Sequence, residues 1–121
     1  MSKIVLVTGA SSGIGRAVAT FLSDKGYKVY GTSRTPRSDK DFSFEMIALD
    51  VLKIETIQTA VDFIIKKEGR LDILVNNAGI GVTGPIEETP TDEMRNAFNT
   101  NFFGAVDVIK TVLPFMRAQK Y

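Results

Sequence analysis

The chain has 121 residues, of which 44% are hydrophobic and 24% charged, and its formal net charge is +1. These values are typical of a single globular domain and predict no nucleic-acid or membrane partner, because there is neither a basic block nor an apolar stretch of membrane-spanning length. The absence of cysteine excludes disulfides and thiolate chemistry, and the absence of histidine removes the commonest general base and metal ligand. We therefore predict a cytoplasmic protein without a metal site.

Strand and helix signals alternate from the start of the chain. A strand over Lys3 to Thr8 leaves no room for a signal peptide, and an apolar face at helical spacing predicts a helix from Gly13 to about Lys25. Gly26 follows this helix, at a position where a left-handed residue is common. A run rich in β-formers predicts a second strand over Lys28 to Ser33.

The middle of the chain repeats this alternation. A polar loop from Arg34 to Phe44 precedes a short third strand over Glu45 to Leu49. An i, i+3, i+4, i+7 apolar stripe predicts a second helix over 54–65, and a fourth strand follows over Asp72 to Val75.

The last part of the chain combines a loop with a long helical region. The loop covers Gly81 to Pro90, and Thr91 is the predicted cap of the helical region. That region continues toward Tyr121, with a break near Asn101 to Gly104 and a strain point at Pro114.

This order of elements predicts an α/β fold of the Rossmann type, a doubly wound parallel sheet with helices on both faces. Right-handed crossovers and a glycine-rich first turn predict the strand order 3-2-1-4, with the fourth strand at an apolar edge. Four strands make only the first half of such a sheet plus one strand. We therefore predict that residues 1–121 form a single, truncated dinucleotide-binding half-domain.

The segment from Thr8 to Gly15 joins the first strand to the first helix and contains three glycines. Glycine lets the backbone approach a ligand with no Cβ in the way, and the N–H groups at a helix start favour a diphosphate. A turn that only packs the helix against the strand is the alternative, which suits Gly15. The strand–turn–helix context favours dinucleotide binding, with contacts from Gly9, Ser11, Ser12, Gly13, Ile14 and Gly15.

Arg34 follows the second strand closely, where the adenosine ribose of a dinucleotide should lie. An acidic residue there accepts a hydrogen bond from the ribose 2′-OH, whereas an arginine accommodates a 2′-phosphate. The strand ends without Asp or Glu, Asp39 and Asp41 lie far along the loop, and the hydroxyl of Ser33 can add a donor. The sequence therefore favours NADP over NAD as the cofactor, the alternative being that Arg34 is a solvated loop charge.

Four motifs in this order resemble the short-chain dehydrogenase/reductase family, and the resemblance covers the whole chain. They are Thr8-Gly-x-x-x-Gly13-x-Gly15, Asp50-Val51, Asn76-Asn77-Ala78-Gly79 and Asn101. The resemblance implies hydride transfer between NADP(H) and a small-molecule carbonyl or secondary alcohol. It also implies that the last helix can form an interface between copies of the chain in a homo-oligomer.

The same resemblance assigns roles to residues after the third and fourth strands. Asp50 is implied to accept a hydrogen bond from the adenine amino group, with the backbone of Val51 beside the ring, although a cap of the following helix explains Asp50 as well. Asn76 is expected to tie the fourth strand to its neighbours. Contact with the adenine ribose is implied for Asn77, Ala78 and Gly79.

The reacting residues of the family are not recognisable in this chain. The family uses a Ser and a Tyr-x-x-x-Lys pair, in which the tyrosinate is the acid–base group and the nearby ammonium lowers its pKa. Tyr27, Tyr30 and Tyr121 have no lysine four residues later. Asn101 is the one catalytic candidate, because the resemblance implies that it holds a water in the proton relay, although local helix irregularity is an alternative. We expect no turnover by these 121 residues.

Three functions stay open at this point. The first is the amino-terminal NADP(H)-binding part of an oxidoreductase. The second is a non-catalytic nucleotide-binding module or an engineered half-domain, which the missing Tyr-x-x-x-Lys pair favours. The third is a flavodoxin-like regulator, which is disfavoured because its phosphate loop and acidic phosphorylation sites do not match these motifs.

Overall fold

Four parallel strands form one sheet in the computed structural model, which describes residues 2–36 and 42–121. The strands are β1 (Ile4–Val7), β2 (Lys28–Ser33), β3 (Glu45–Ala48) and β4 (Ile73–Val75). Their order is β3-β2-β1-β4, which confirms the predicted topology. The α-helices of the described residues are α1 (Gly13–Asp24), α2 (Ile54–Glu68), α3 (Thr91–Phe98) and α4 (Ala105–Gln119).

Strand β1 is an inner strand of the sheet, and its side chains point alternately into the two cores on opposite faces of the sheet. In β1, Ile4 and Leu6 belong to the core beneath α2 and α4, whereas Val5 and Val7 belong to the layer beneath α1. None of the four is more than 5% exposed, as expected for a parallel strand that is covered on both faces. On α4, Phe115 and Met116 pack against the first of these cores.

The segment after β4 is a loop as far as Pro90, but the predicted cap of the following helix is wrong. The loop contains a 3₁₀ turn over Ile86–Glu88, because the carbonyl of Pro85 accepts a hydrogen bond from the N–H of Glu88. Thr91 is the first residue of α3 rather than its cap, and it makes no capping hydrogen bond. Pro90 occupies the cap position, and its carbonyl accepts a hydrogen bond from the N–H of Glu93.

The predicted break in the last helical region is a π-helical turn over Asn99–Gly104, which joins α3 to α4. A Cβ at Gly104 would lie 2.8 Å from the Cβ of Val51, so glycine lets this turn pack directly on the segment after β3. Pro114 lies inside α4 without ending it. Gly26 follows α1 with a φ of 95°, as predicted.

Asp72 connects the start of β4 to the start of β1. Its buried carboxylate accepts hydrogen bonds from the N–H of Ile4 at 2.8 Å and from Nε of Arg70 at 2.7 Å. Burial by itself raises the pKa of Asp72, but the bonds from Arg70 and Ile4 outweigh it and hold the pKa below its usual value.

We expect Asp72→Asn to lower the free energy of unfolding by about 2 kcal/mol at pH 7, because a charged acceptor of two hydrogen bonds is lost. The folded-state pKa is lowered, so this stabilisation is complete above the unfolded pKa of about 3.9 and disappears as the pH falls through the folded pKa. Urea unfolding at pH 7, 5 and 3 measures both effects. The control Asp62→Asn, on the exposed face of α2, should change stability by less than about 0.5 kcal/mol. Equal losses in the two variants would contradict the role of Asp72.

Candidate functional site

A cleft of about 450 Å³ lies at the carboxyl edge of the sheet, where ligands bind in open α/β sheets. Ten of the thirteen residues predicted to bind a dinucleotide line it, namely Gly9, Ser11, Ser12, Ser33, Arg34, Asp50, Val51, Asn77, Ala78 and Gly79. The other three, Gly13, Ile14 and Gly15, form the first turn of α1 beside the cleft. The side chain of Ile14 is exposed to solvent.

The glycine-rich turn brings the backbone of two strand ends into contact. Gly9 has a left-handed φ of 66°, and a Cβ there would lie 2.9 Å from Cα of Ala78. Gly15 is packed even more tightly, because a Cβ there would lie 2.0 Å from the carbonyl oxygen of Gly9. Gly15 therefore packs α1 closely against the turn. This is the structural alternative that the sequence analysis gave for Gly15.

The start of α1 provides the positive end of the cleft. Ser12 is the cap residue, but its side chain makes no capping hydrogen bond, and the first turn contains no acidic residue. The first N–H groups of an α-helix have no acceptor within the helix, and the helix dipole adds a partial positive charge there. Since Ser11 and Ser12 line the cleft, this end is suited to an anionic group.

Two buried threonines hold the strand ends together, and the sequence analysis did not select them as site residues. Oγ1 of Thr8 accepts hydrogen bonds from the N–H groups of Asn77 and Ala78, both at 3.0 Å. Oγ1 of Thr32, which lines the cleft, accepts a hydrogen bond from the N–H of Gly9 at 3.3 Å. The sequence contained a signal for both residues, because each is a threonine directly after or near the end of a predicted strand.

Asn76 ties the end of β4 to a neighbouring helix rather than to a neighbouring strand. Its Nδ2 donates to the carbonyl of Ala105, at the start of α4, at 2.9 Å. Asn77 makes the tie instead, because its Nδ2 donates to the carbonyls of Gly9 at 3.1 Å and Thr8 at 3.3 Å. Successive side chains along an extended segment lie on opposite faces, so two adjacent asparagines reach different neighbours.

Asp50 lines the cleft and does not cap α2, so the capping alternative is wrong. The cap position is Lys53, three residues later. Oδ1 of Asp50 accepts a hydrogen bond from the N–H of Leu52 at 3.0 Å, and its N–H donates to Oγ1 of Thr56 at 2.9 Å. These bonds fix the turn after β3 in the cleft wall.

Arg34 and Ser33 form the rim of the cleft at the end of β2. Arg34 is exposed, and Oγ of Ser33 accepts a hydrogen bond from the N–H of Thr35 at 3.3 Å. Among the described residues that line the cleft, Asp50 alone is acidic. Asp39 and Asp41 lie outside the described residues.

Asn101 lies in the π-helical turn and contacts the segment after β4. Its Oδ1 accepts a hydrogen bond from the N–H of Ile80, and its Nδ2 donates to the carbonyl of Ile80, both at 2.7 Å. Ile80 lines the cleft, whereas Asn101 does not. Both ends of the Asn101 amide are therefore used to hold the cleft wall in place.

Two further features concern the part of the chain that the structure describes. It contains no helix long and apolar enough to cross a membrane. It also contains no group of three or more His, Cys, Asp or Glu side chains placed to hold a metal ion.

The family model of the short chain dehydrogenases matches residues 3–121. The chain belongs to this family. It is 46% identical over 115 residues to the 3-ketodihydrosphingosine reductase of Bacteroides thetaiotaomicron, covering 95% of this chain and 42% of that protein. It is 37% identical over 131 aligned residues to retinol dehydrogenase 8 of Homo sapiens, covering 98% of this chain and 41% of that protein. The chain thus spans less than half the length of these two relatives.

Solved structures have the same fold. A short-chain dehydrogenase from Streptomyces avermitilis matches with a TM-score of 0.91 at 38% identity, over 98% of this chain and 46% of that one. The structure of ElxO with NADP bound matches with a TM-score of 0.90 at 36% identity, over 98% of this chain and 52% of that one. These matches confirm the Rossmann-type fold and the family, and they exclude the flavodoxin-like alternative.

We expect Thr8→Val to lower the free energy of unfolding by about 2 kcal/mol, because it leaves the N–H groups of Asn77 and Ala78 without their acceptor at nearly constant side-chain volume. The matched control is Thr59→Val, whose hydroxyl donates to the carbonyl of Glu55 on the exposed face of α2. This control should change stability by less than about 0.5 kcal/mol in the same urea titration. A loss for Thr8→Val no larger than that of the control would refute its role.

Proposed function

We propose that this chain binds NADP(H) as the amino-terminal, dinucleotide-binding part of a short-chain oxidoreductase. The observation that carries the proposal is a single cleft that has the start of α1 at one end and Arg34 at its rim. The helix end suits a diphosphate, and a guanidinium suits the 2′-phosphate that distinguishes NADP from NAD. The NADP-bound structure of ElxO supports the same cofactor.

The proposed contacts follow the position of each residue in the cleft. The diphosphate is bound at the glycine turn by Gly9, Ser11, Ser12, Gly13 and Ile14, with Gly15 packing the turn. The 2′-phosphate is bound by Ser33 and Arg34. Asp50 accepts a hydrogen bond from the adenine amino group, and the backbone of Val51 lies beside the ring. The adenine ribose is contacted by Asn77, Ala78 and Gly79.

The cofactor would supply hydride to a small-molecule carbonyl, or accept it from a secondary alcohol. Asn101 is proposed to position the wall at Ile80, to which both ends of its amide are bonded, and to hold a water of the proton relay. A general acid is proposed to come from outside these 121 residues, since no tyrosine here has a lysine four residues later. We further propose a homo-oligomer that uses α4.

Isothermal titration with NADP⁺ and NAD⁺ tests the cofactor. Arg34→Ala should weaken NADP⁺ binding about tenfold, because one charge-assisted contact to phosphate is lost, and should change NAD⁺ binding by less than about twofold. Arg117→Ala, an exposed arginine of α4, is the charge-matched control. Equal losses for both dinucleotides would remove the phosphate role of Arg34. No binding of either dinucleotide to the wild type at millimolar concentration would overturn the cofactor proposal itself.

The chain by itself is expected not to oxidise NADPH in the presence of a panel of ketones and aldehydes, measured by the loss of absorbance at 340 nm. The physical reason is the missing acid–base pair. Turnover above that of the heat-denatured chain would contradict this expectation.

A non-catalytic binding module is the second candidate function, and the missing Tyr-x-x-x-Lys pair favours it. The intact mass of the natural protein separates the two. A longer product with that pair supports the oxidoreductase, and a 121-residue product supports the module.

A further inference from the structure

Thr56 lies in the first turn of α2 and bonds to the backbone of the cleft residue Asp50. Its Oγ1 accepts a hydrogen bond from the N–H of Asp50 at 2.9 Å and lies 2.8 Å from the carbonyl oxygen of the same residue. The carbonyl oxygen of Lys53 lies 2.7 Å from Oγ1, so the hydroxyl hydrogen has two carbonyl acceptors within reach. One side chain therefore holds both polar backbone groups of Asp50.

The backbone on either side of Asp50 is anchored in the core. Leu49 and Val51 are both buried and belong to the core beneath α2 and α4. Val51 has little room to move, because it packs directly on Gly104 of the π-helical turn. The two apolar neighbours thus fix the position of this segment, and Thr56 fixes the polar groups of the residue between them.

The direction of the Asp50 carboxylate depends on this turn. Oδ1 accepts a hydrogen bond from the N–H of Leu52 at 3.0 Å, which ties the side chain to its own backbone segment. Among residues 2–36 and 42–121, no donor bonds to Oδ2, so this oxygen can accept a hydrogen bond from a ligand in the cleft. A change in the backbone of Asp50 would turn Oδ2 away from such a ligand.

A carboxylate oxygen directed into the cleft distinguishes purine bases by their substituent at C6. The amino group of adenine donates a hydrogen bond to it, whereas the keto oxygen of hypoxanthine is an acceptor and is repelled. A hydrogen bond to a charged acceptor contributes more to binding than one between neutral groups. The discrimination requires that the oxygen is held in the right place before the ligand binds.

We propose that Thr56 is a positioning residue for the base of the cofactor, because its hydroxyl holds Asp50 so that Oδ2 accepts a hydrogen bond from the adenine amino group. This inference rests on the proposed NADP(H) function. Thr56 itself does not line the cleft, so it acts on the base only through Asp50. The start of α2 thereby contributes to base selection without touching the ligand.

The test compares two dinucleotides that differ only at the base. Calorimetric titrations use NADP⁺ and nicotinamide hypoxanthine dinucleotide phosphate, in which a keto oxygen replaces the amino group of adenine. The wild type should bind NADP⁺ about tenfold more tightly, because the analogue cannot donate to the carboxylate. The readout is the ratio of the two dissociation constants. Partial unfolding weakens both ligands by the same factor and leaves this ratio unchanged.

Thr56→Val should reduce the preference to about threefold, because the N–H of Asp50 loses its acceptor and the carboxylate is no longer held toward the base. Thr56→Ser keeps the hydroxyl and should restore the wild-type preference. The matched control Thr59→Val removes a hydroxyl that donates to the carbonyl of Glu55 on the same helix, and it should keep the preference. Asp50→Ala should abolish the preference, and Thr56→Val added to it should change the ratio no further.

The outcomes separate this inference from the proposed function. A preference that Thr56→Val leaves unchanged would overturn the role of Thr56 at the base and assign it to the stability of the turn. A loss in Thr56→Ser as large as that in Thr56→Val would overturn it too, because the hydroxyl would then not be the cause. Equal binding of the two dinucleotides by the wild type would remove the base contact of Asp50 and leave NADP(H) binding standing. Binding of neither would overturn both.

Discussion

The contact between the glycine turn and the end of β4 is the constraint on which the cleft depends. A Cβ at Gly9 would lie 2.9 Å from Cα of Ala78, so the two segments meet backbone to backbone. The hydroxyl of Thr8 accepts hydrogen bonds from the N–H groups of Asn77 and Ala78, so both of these donors are paired. Because the turn is held this closely, the start of α1 lies beside the cleft and its positive end is available to a ligand.

The opposite wall of the cleft depends on a second close approach. The π-helical turn between α3 and α4 interrupts regular helical hydrogen bonding, a distortion that is frequent at functional sites. It is stabilised from outside by the packing of Gly104 on Val51 and by the paired bonds between Asn101 and Ile80. One irregular turn therefore positions residues after β3 and after β4 at the same time.

Charge is distributed in the cleft so that it favours anions at one end. Asp50 is the one acidic residue among the described residues of the cleft, and its Oδ1 accepts the N–H of Leu52. Arg34 lies at the rim of the cleft, and Ser11 and Ser12 at the start of α1 also line it. A ligand with a diphosphate and a further phosphate matches this distribution, whereas a ligand with one anionic group uses only part of it.

The sequence by itself determined the parallel sheet, its strand order and most residues of the cleft. Apolar runs and helical stripes are local patterns, and the carboxyl ends of parallel strands meet at one edge whatever the details of packing. Only the tertiary structure decided the partners of Asn76 and Asn77 and the acceptor role of Thr8. Each of these depends on which face a side chain occupies and on a partner more than twenty residues away, and no local spacing encodes that information.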